Sequence, residues 1–357
     1  MVSVVHVVVP ADLHDPTRRS GGNVYDLRLC EELAHRGWSV REVPVAGPWP
    51  RRDPGSLAGL GSALAVLPDS SLVLVDGLVA SNAGDVVRGE TDRLGIVVLV
   101  HMPLGHRWPG QDRADVGARE RDVLAGARAV VTTSTWTRDW LLDRYALRSS
   151  CVSVAEPGVD PAPLAPWSAS GQALLCVAAV TPDKGHDVVF EALRAVADLS
   201  WRCVCVGSLG RDPGFARALR DRVHDAGLAH RVTFTGPLVG AALDAAYAAA
   251  DLLVLATRAE TYAMVVTESF ARGLPVVATD VGGVPQAWRG SAPACAPGRL
   301  VPVDDPEAFA CALRDWLTDA DLRARWRAAA RQRRDELTGW SVTAERVSRV
   351  LMRVAGA

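Results

Sequence analysis

The sequence predicts an α/β protein made of two doubly wound parallel sheets, and three observations lead to this prediction. Apolar runs of about four to eight residues alternate with helical patterns along nearly the whole chain, which is typical of parallel strands covered by helices on both faces. A stretch rich in Pro, Ala and Gly interrupts this alternation near the middle. The 357 residues, 49% of them hydrophobic, provide enough apolar surface for two cores.

The predicted elements follow one another in a regular order. In the first half the apolar runs predict strands, with helices between them, notably 22–36 and 115–125; the strands are 2–9, 39–45, 72–75, 96–100, 128–132 and 151–154. In the second half the strands are 173–179, 202–206, 231–235, 252–256 and 275–279, and the helices are 184–197, 213–226, 241–249, 262–272, 321–336 and 342–354. The predicted domains are therefore 1–160 and 173–339, with a linker at 161–172 and a final helical segment in 340–357.

Composition excludes several classes of protein. The net charge of −2 gives no broad basic field for nucleic acid. The opening run MVSVVHVVVP lacks a basic flank and ends at Pro10, so it predicts a buried strand and no secretory leader. No run approaches the roughly eighteen apolar residues of a membrane span, although weak peripheral association with a membrane stays open.

Cysteine and metal-ligand patterns point to a cytoplasmic protein without a metal or cofactor. The seven cysteines never form CxxC, and we predict reduced thiols in the core. HxxxH and HExxH are also absent, so no metal ion is expected. No glycine fingerprint with an acidic partner follows a strand, which disfavours a nicotinamide oxidoreductase.

The most informative motif is ETYAMVVTE, which runs from Glu260 to Glu268 after the apolar strand 252–256. It places two carboxylates around a helix N-terminus, where the backbone N–H groups of Ala263, Met264 and Val265 can bind a phosphate. An anion site with an acid on each side suits a sugar nucleotide. The alternative is that Glu260 favours the helix dipole and Glu268 pairs with Arg272 on a solvated face.

Lys184 is the only lysine among 39 Lys and Arg residues, and it stands in TPDKGHD at the start of a predicted helix. A compact ammonium is not interchangeable with a guanidinium among phosphate oxygens. We therefore predict that Lys184 binds the same anion as the helix beyond Glu260. Chance survival of one lysine is the alternative.

The first half offers candidates at the carboxyl ends of its strands, where open parallel sheets bind ligands. Gly21 and Gly22 open a helix, and absent side chains there allow backbone to approach a ligand. His101 and Asp76 directly follow strands and face the side where an acceptor is expected. The long first loop and the helix start add acceptor-binding candidates, with solvated loop charge as the alternative: His14, Arg18, Arg19 and Asn23.

Taken together, five segments resemble the family 4 glycosyltransferases. They are GG at 21–22, DKG at 183–185, VTFTG at 232–236, the block at 249–286 and WSVTAERVSRVL at 340–351. The resemblance implies a GT-B fold, with two Rossmann-like domains and a cleft between them. It further implies a retaining, metal-independent transfer from a nucleoside diphosphate sugar to a small-molecule, lipid or natural-product acceptor.

The same resemblance implies a role for each matching residue. Glu260 would bind the hydroxyls of the donor sugar, Glu268 the ribose, and the amides of Ala263, Met264 and Val265 the diphosphate. Lys184 would hold the β-phosphate, with Gly22 approaching it from the N-terminal domain, which binds the acceptor. His101 would contact the donor sugar near the reacting carbon. The helix after Trp340 would cross back to the first domain.

Two positions depart from the family pattern. Ala179 stands where the family often has an Arg that binds the diphosphate, and Gln286 stands where it commonly has Glu. We predict that Arg258, or Arg18 with Arg19, supplies the missing charge. Three functions stay open: the transferase, a sugar-nucleotide epimerase or hydrolase of the same fold, and a nucleotide-sugar-binding protein without catalysis.

Overall fold

The structure is a computed structural model that describes residues 3–15, 20–107, 113–289 and 296–356. It divides into two compact units, Met1–Gly158 with Thr338–Ala357, and Val159–Leu337. The segment predicted as a linker, 161–172, lies within the second unit. Within the described ranges, none of the helices combines the length and the apolar character needed to cross a membrane.

The first unit is built on a parallel six-stranded sheet in the order β2-β1-β3-β4-β5-β6. Its strands are β1 Val4–Pro10, β2 Ser39–Val45, β3 Leu72–Asp76, β4 Gly95–Val100, β5 Ala129–Thr132 and β6 Val152–Val154. All five residues of β3 are buried, as expected for a central strand with helices on both faces. The direction of winding reverses between β1 and β3, and ligands of such sheets bind at this switch point.

Helices cover both faces of this sheet. They are α1 Gly21–His35, α2 Pro54–Ala65, α3 Gly77–Ala80, α4 Gly84–Gly89, α5 Leu104–Arg107, α6 Arg113–Gly126 and α7 Thr135–Tyr145. Ser20 caps α1, because its side chain accepts a hydrogen bond from the Asn23 amide. The buried face of α1 contains Tyr25, Leu29 and Leu33, spaced at helical intervals.

The second unit repeats this design with a parallel sheet in the order β12-β11-β10-β7-β8-β9. Its strands are β7 Ala173–Val177, β8 Arg202–Val206, β9 Val232–Gly236, β10 Leu252–Leu255, β11 Val276–Thr279 and β12 Gly298–Val301. The switch point lies between β7 and β10, so the loops after these two strands flank the expected ligand site. The sequence patterns did not predict β12.

The helices of the second unit complete its two faces. They are α8 His186–Ala195, α9 Pro213–Asp225, α10 Ala241–Ala248, α11 Met264–Ala271, α12 Val284–Trp288, α13 Pro306–Thr318 and α14 Ala320–Asp335. The helix predicted at 262–272 begins two residues later, at Met264, and α13 was not predicted. The alternation of strands and helices in both units confirms the predicted fold class.

The last helix, α15 Trp340–Ala355, packs on the first unit. The Trp38 indole donates to Ser348 Oγ at 2.9 Å, and the rings of Tyr25 and Trp340 meet edge to face at 5.5 Å. Gly158 makes the chain crossing before α15 feasible, because a Cβ on this residue would lie 2.2 Å from the Trp340 nitrogen. The chain thus returns to its first unit after completing the second.

Free thiols are partly placed as predicted. Cys30, Cys176, Cys203 and Cys205 are buried and unpaired. Cys311 is exposed and Cys151 is half-buried, so the prediction that the thiols all lie in the core is wrong for these two. Cys151 ends a short 3-10 turn before β6, and Cys311 lies on the exposed face of α13, a helix that was not predicted. Cys295 lies outside the described residues.

Candidate active site

The switch point of the second sheet brings Lys184 and Glu260 into contact. A short 3-10 turn, Pro182–Lys184, follows β7, and Glu260 lies in the loop after β10. Lys184 Nζ donates to Glu260 Oε2 at 2.7 Å, with 23% and 15% of the two side chains exposed. The ammonium carries three donor hydrogens, so this bond leaves it able to contact phosphate oxygens. Two residues 76 positions apart in sequence therefore meet at the edge of the sheet.

Two helices begin beside this ion pair without a side-chain cap. Gly185, with φ of 64°, precedes α8, and Ala263, with φ of 71°, precedes α11. Left-handed backbone is uncommon for an alanine and costs free energy, which indicates that the surrounding loop holds Ala263 in place. The first amides of each helix have no intrahelical acceptor, and together they form a favourable position for an anion. The predicted diphosphate-binding residues Ala263, Met264 and Val265 are the cap and first two residues of α11.

The turn that carries Lys184 is fixed against the end of β10. The Arg258 amide donates to Asp183 O at 2.8 Å, and the Thr257 hydroxyl donates to the same carbonyl at 3.1 Å. A Cβ on Gly185 would lie 1.9 Å from Ala256 O, so only glycine allows this approach. The position of Lys184 is therefore determined by the strand that leads to Glu260.

Arg258, predicted as the missing phosphate cation, contributes to the same fixation. Its guanidinium donates to both oxygens of Asp187 at 2.9 and 2.8 Å, and to Asp304 at 2.6 Å. It also donates to the Pro182 carbonyl. The hydrogen bonds of Asp187 raise the pKa of Arg258 despite burial. Because two carboxylates match its single charge, Arg258 organises the turn in this structure.

Two glycines position Glu260 from the other side. A Cβ on Gly282 would lie 1.8 Å from Glu260 O, and one on Gly283 would lie 1.9 Å from Thr261 O. The Gly283 amide donates to Glu260 O at 3.0 Å. Gly282 and Gly283 in DVGGVP therefore allow the loops after β10 and β11 to pack closely. The segment is part of the family resemblance, but no role was predicted for its two glycines.

Glu268 lies on α11 and is held by a tyrosine. Tyr247 OH donates to Glu268 Oε2 at 2.8 Å, and the guanidinium of Arg272 lies 4.3 Å from the Tyr247 ring centre. Burial and the neighbouring Glu268 charge raise the pKa of Tyr247. Arg272 itself donates to the Glu268 backbone carbonyl at 3.0 Å and to Asp244. Tyr247 was not predicted as a site residue, because an aromatic residue on a helix such as α10 is typical of the hydrophobic core.

In the first unit, His101 lies in a buried cluster with Asp26 and Asp76. Its Nε2 is 2.8 Å from Asp26 Oδ1 and 3.8 Å from Asp76 Oδ2. Burial opposes protonation of His101, but the charge and hydrogen bond of Asp26 and the charge of Asp76 outweigh it and raise the pKa to about 9. Asp76 also caps α3, since its Oδ1 accepts from the Leu78 amide at 2.5 Å. Asp26 was missed, although an acid on the buried face of α1 is a signal.

Gly22 packs against the histidine ring. A Cβ on Gly22 would lie 3.3 Å from His101 Cδ2, which is tighter than nine in ten natural Cβ contacts. The predicted glycine thus has a local reason in the first unit that does not involve phosphate.

The predicted acceptor-binding residues of the first loop have varied positions. His14 is exposed and contacts Glu42 at 2.8 Å, while the Asn23 side chain contacts the Ser20 cap of α1. Asp76 is buried in the cluster described above. Arg18 and Arg19 lie outside the described residues.

Among the described residues, one group of three has side-chain atoms close enough to hold a metal ion, namely Asp26, Asp76 and His101, whose atoms lie within 4.8 Å of one another. The imidazole already supplies a positive charge by a direct hydrogen bond to Asp26. A proton therefore accounts for this contact without a metal ion.

Two doubly wound parallel sheets with flanking helices are the architecture of the GT-B fold. The model of the family described as "Glycosyl transferases group 1" matches residues 171–319. A D-inositol 3-phosphate glycosyltransferase 1 of Catenulispora acidiphila is 30% identical over 295 residues, covering 76% of this chain and 68% of the relative. The chain belongs to the group 1 glycosyl transferases, and the predicted resemblance to family 4 is confirmed at this level.

Other relatives agree on the family and the fold. A D-inositol 3-phosphate glycosyltransferase of Salinispora tropica is 33% identical over 238 residues, covering 60% of this chain and 48% of the relative. The chain thus spans about half the length of that relative. Sucrose-phosphate synthase from Thermosynechococcus elongatus superposes with a TM-score of 0.81 at 20% identity, covering 98% of each chain. HepE from Anabaena, solved with UDP-glucose, gives a TM-score of 0.75 at 16% identity, covering 98% of this chain and 99% of that one.

Proposed function

We propose that this protein transfers a sugar from a nucleoside diphosphate sugar to a small polar acceptor, with retention of anomeric configuration and without a metal ion. The observation that carries the proposal is the Lys184–Glu260 ion pair, 2.7 Å long, at the switch point between β7 and β10. Uncapped N-termini of α8 and α11 flank this pair. A diphosphate fits such a site because backbone amides, helix dipoles and an ammonium act on one anion.

The second unit supplies the contacts for the donor. Lys184 and the α11 amides would bind the diphosphate, Glu260 the sugar hydroxyls, and Glu268 the ribose. Glu268 suits this role because Tyr247 already fixes one of its oxygens at 2.8 Å. HepE was solved with UDP-glucose, which supports a uridine diphosphate sugar as the first donor to test.

The acceptor is expected at the first unit, where His101 and Asp76 follow β4 and β3. The relatives from Catenulispora acidiphila and Salinispora tropica are named for D-inositol 3-phosphate. We therefore propose a polyol or polyol phosphate as the acceptor class. The exposed His14 and the arginines Arg18 and Arg19 of the first loop are the basic groups assigned to it.

Chemically, the site is suited to stabilising a departing diphosphate. Negative charge grows on the β-phosphate oxygens as the glycosyl bond breaks, so donors fixed at that position lower the barrier. Lys184 and the α11 amides are such donors, and both are held by the backbone contacts described above. In retention by front-face substitution, the leaving phosphate would help to take the acceptor proton. Transfer at full rate in the presence of a chelator is expected.

A rapid test uses thermal shift and then product analysis. Uridine, guanosine, adenosine and thymidine diphospho-sugars are screened, and a ligand at a hundredfold over its Kd stabilises the protein by about 2.7 kcal/mol. The best donor is then incubated with inositol phosphates, and the product anomer is determined by NMR. A product of inverted configuration would contradict retention. Turnover of the donor without any acceptor would instead favour an epimerase or hydrolase, and tight donor binding without turnover a binding protein.

We also propose a cytoplasmic location, which the buried free thiols Cys176, Cys203 and Cys205 support.

A further inference from the structure

The cluster of Asp26, Asp76 and His101 places three ionisable groups from three elements in a nearly dry position. Asp26 on α1 is 3% exposed, Asp76 at the end of β3 is 4% exposed, and the His101 side chain is 15% exposed. Charges so deeply buried are unfavourable unless each is matched by a partner. The close arrangement of the three groups therefore limits how many of them can be charged at once.

Charge matching requires one proton beyond the imidazolium. Two carboxylates facing one imidazolium would leave a net buried negative charge. Protonation of one carboxyl group removes that charge, and two carboxyl groups whose oxygens lie within 4.8 Å of each other do not both ionise easily. The cluster therefore contains one carboxylate, one carboxylic acid and one imidazolium.

The contacts identify which carboxyl group carries the proton. Asp26 Oδ1 accepts the direct 2.8 Å hydrogen bond from His101, whereas Asp76 lies 3.8 Å from the same nitrogen. Asp26 Oδ2 is buried, and no described nitrogen or hydroxyl donates to it. A proton on Asp76 would satisfy this oxygen. Burial, followed by the Asp26 charge, raises the pKa of Asp76 well above its ordinary value, in agreement with this arrangement.

We propose that Asp26 is a positioning residue for the transfer: its carboxylate holds the His101 imidazole as an oriented cation, while Asp76 keeps a proton that it shares with Asp26. This inference rests on the proposed function. Since Nε2 contacts Asp26 and no described residue bonds Nδ1, Nδ1 is the nitrogen that donates to the substrate. A neutral imidazole with its proton on Nε2 would present an acceptor there instead.

Other groups around the ring reinforce the assignment. Tyr25 on α1 meets the His101 ring edge to face at 5.1 Å, and burial raises the pKa of its hydroxyl, so it stays neutral. Arg346 on α15 and Glu156 pair with each other at 2.6 Å behind Tyr25. Among the described residues, the titratable groups that face the imidazole are therefore the Asp26 carboxylate and the protonated Asp76.

The experiment follows the titration of His101 by NMR in the full chain labelled with 13C-histidine, with the signal assigned by its loss in His101→Gln. We expect a midpoint near 9 in the wild-type protein. In Asp26→Asn, burial acts without the compensating charge, so the midpoint should fall below 6.5. Asp76→Asn should lower the midpoint less than Asp26→Asn does, because Asp76 contributes less than Asp26 to the raised pKa of His101 and its amide can still donate to Asp26.

Activity provides a second readout. In the wild-type enzyme kcat should fall as pH rises through 9, and in Asp26→Asn this fall should move below pH 6.5, with at least a tenfold loss at pH 8 and little change in donor KM. Glu31→Gln removes an exposed charge from the same helix, and it should change neither the titration nor the activity.

Three results would overturn the proposal. They are a wild-type His101 midpoint at or below 6.5, an unchanged midpoint in Asp26→Asn, and selective broadening of the His101 signal by substoichiometric Mn²⁺, which would assign the cluster to a metal ion. The first needs no variant, so the test survives a failure of Asp26→Asn to fold. If no donor is ever turned over, the proposed function fails while the titration still decides the role of Asp26.

Discussion

The two units place their candidate residues at equivalent positions of their sheets, but the charges of these residues are balanced differently. Each places its candidate residues at the switch point of a doubly wound sheet. In the first unit, the charges of Asp26 and His101 satisfy one another in a buried cluster. In the second unit, the Lys184–Glu260 pair is partly exposed, and the neighbouring helix amides have no side-chain cap.

This difference indicates a division of labour. A site with unused donors and a partly exposed ammonium is prepared to bind an anion, because binding supplies partners that the protein lacks. A cluster that is internally matched gains little by binding an anion, in agreement with the proposal that it orients one group. We therefore expect variants of the second unit to lose donor binding, and variants of the buried cluster to lose turnover while they keep nucleoside diphosphate affinity.

The largest effect is expected at Lys184. Lys184→Ala removes a fixed cation from the diphosphate, and losing such a donor costs about 2.7 to 4 kcal/mol of transition-state stabilisation. We expect kcat/KM to fall by a hundred- to a thousandfold, and nucleoside diphosphate binding to weaken strongly in calorimetry. Lys184→Arg should recover only part of the loss, because a guanidinium is larger and planar.

Arg194→Ala is the matched control for this prediction. It removes an exposed cation from α8, which begins directly after the Lys184 turn. Its kinetics should stay within twofold of the wild-type protein. A loss of less than threefold in Lys184→Ala would remove the ammonium from the mechanism and, with it, the contrast between the units.

A smaller effect is expected at Arg258, where two variants separate two roles. If Arg258 organises the Lys184 turn, then Arg258→Ala and Asp187→Asn should both raise the donor KM by about tenfold, or about 1.4 kcal/mol. If Arg258 instead contacts the diphosphate, Asp187→Asn would free the guanidinium and tighten donor binding. Steady-state kinetics with varied donor decides between these outcomes. Asp304→Asn, which removes the more exposed partner, should change KM by less than twofold.

The fold was largely predictable because its signals are local. Apolar runs such as 252–256 and the breakers Gly273 and Pro275 report strand and helix ends directly. The strand β12 was not predicted, because its sequence GRLV combines a charged residue with a short apolar run. Helix α13 begins at Pro306, and none of the sequence motifs described above lies within it.

Candidate residues could be predicted where they share one short motif or stand out in composition. Glu260 and Glu268 share one segment, and Lys184 is unique by composition. Contacts between distant segments were not predictable: Asp26 meets His101 across 75 positions, and Arg258 meets Asp187 across 71. The ion pairs of Arg258 were not predicted, because a sequence shows a cation but not the carboxylates that neutralise it.

The smallest effect is expected at Tyr247, where the two units offer a matched pair. Tyr247→Phe removes one hydrogen bond to Glu268, worth about 1 kcal/mol, so nucleoside diphosphate affinity should fall about fivefold. Tyr145→Phe removes a comparable bond, 2.7 Å long, from Tyr145 to the buried Glu120 of the first unit. Tyr145→Phe should lower the melting temperature about as much as Tyr247→Phe does, without weakening nucleoside diphosphate binding.

The ribose contact can be tested on the same variants. If Glu268 binds the ribose, a 2′,3′-dideoxy nucleoside diphosphate should bind wild-type protein weakly, and Tyr247→Phe should add little further loss. This non-additivity in a double-mutant cycle would locate the tyrosine's effect at the ribose hydroxyls. Fully additive losses would show that Tyr247 affects binding independently of the ribose hydroxyls, and Glu268 would then lose its main structural support as the ribose ligand.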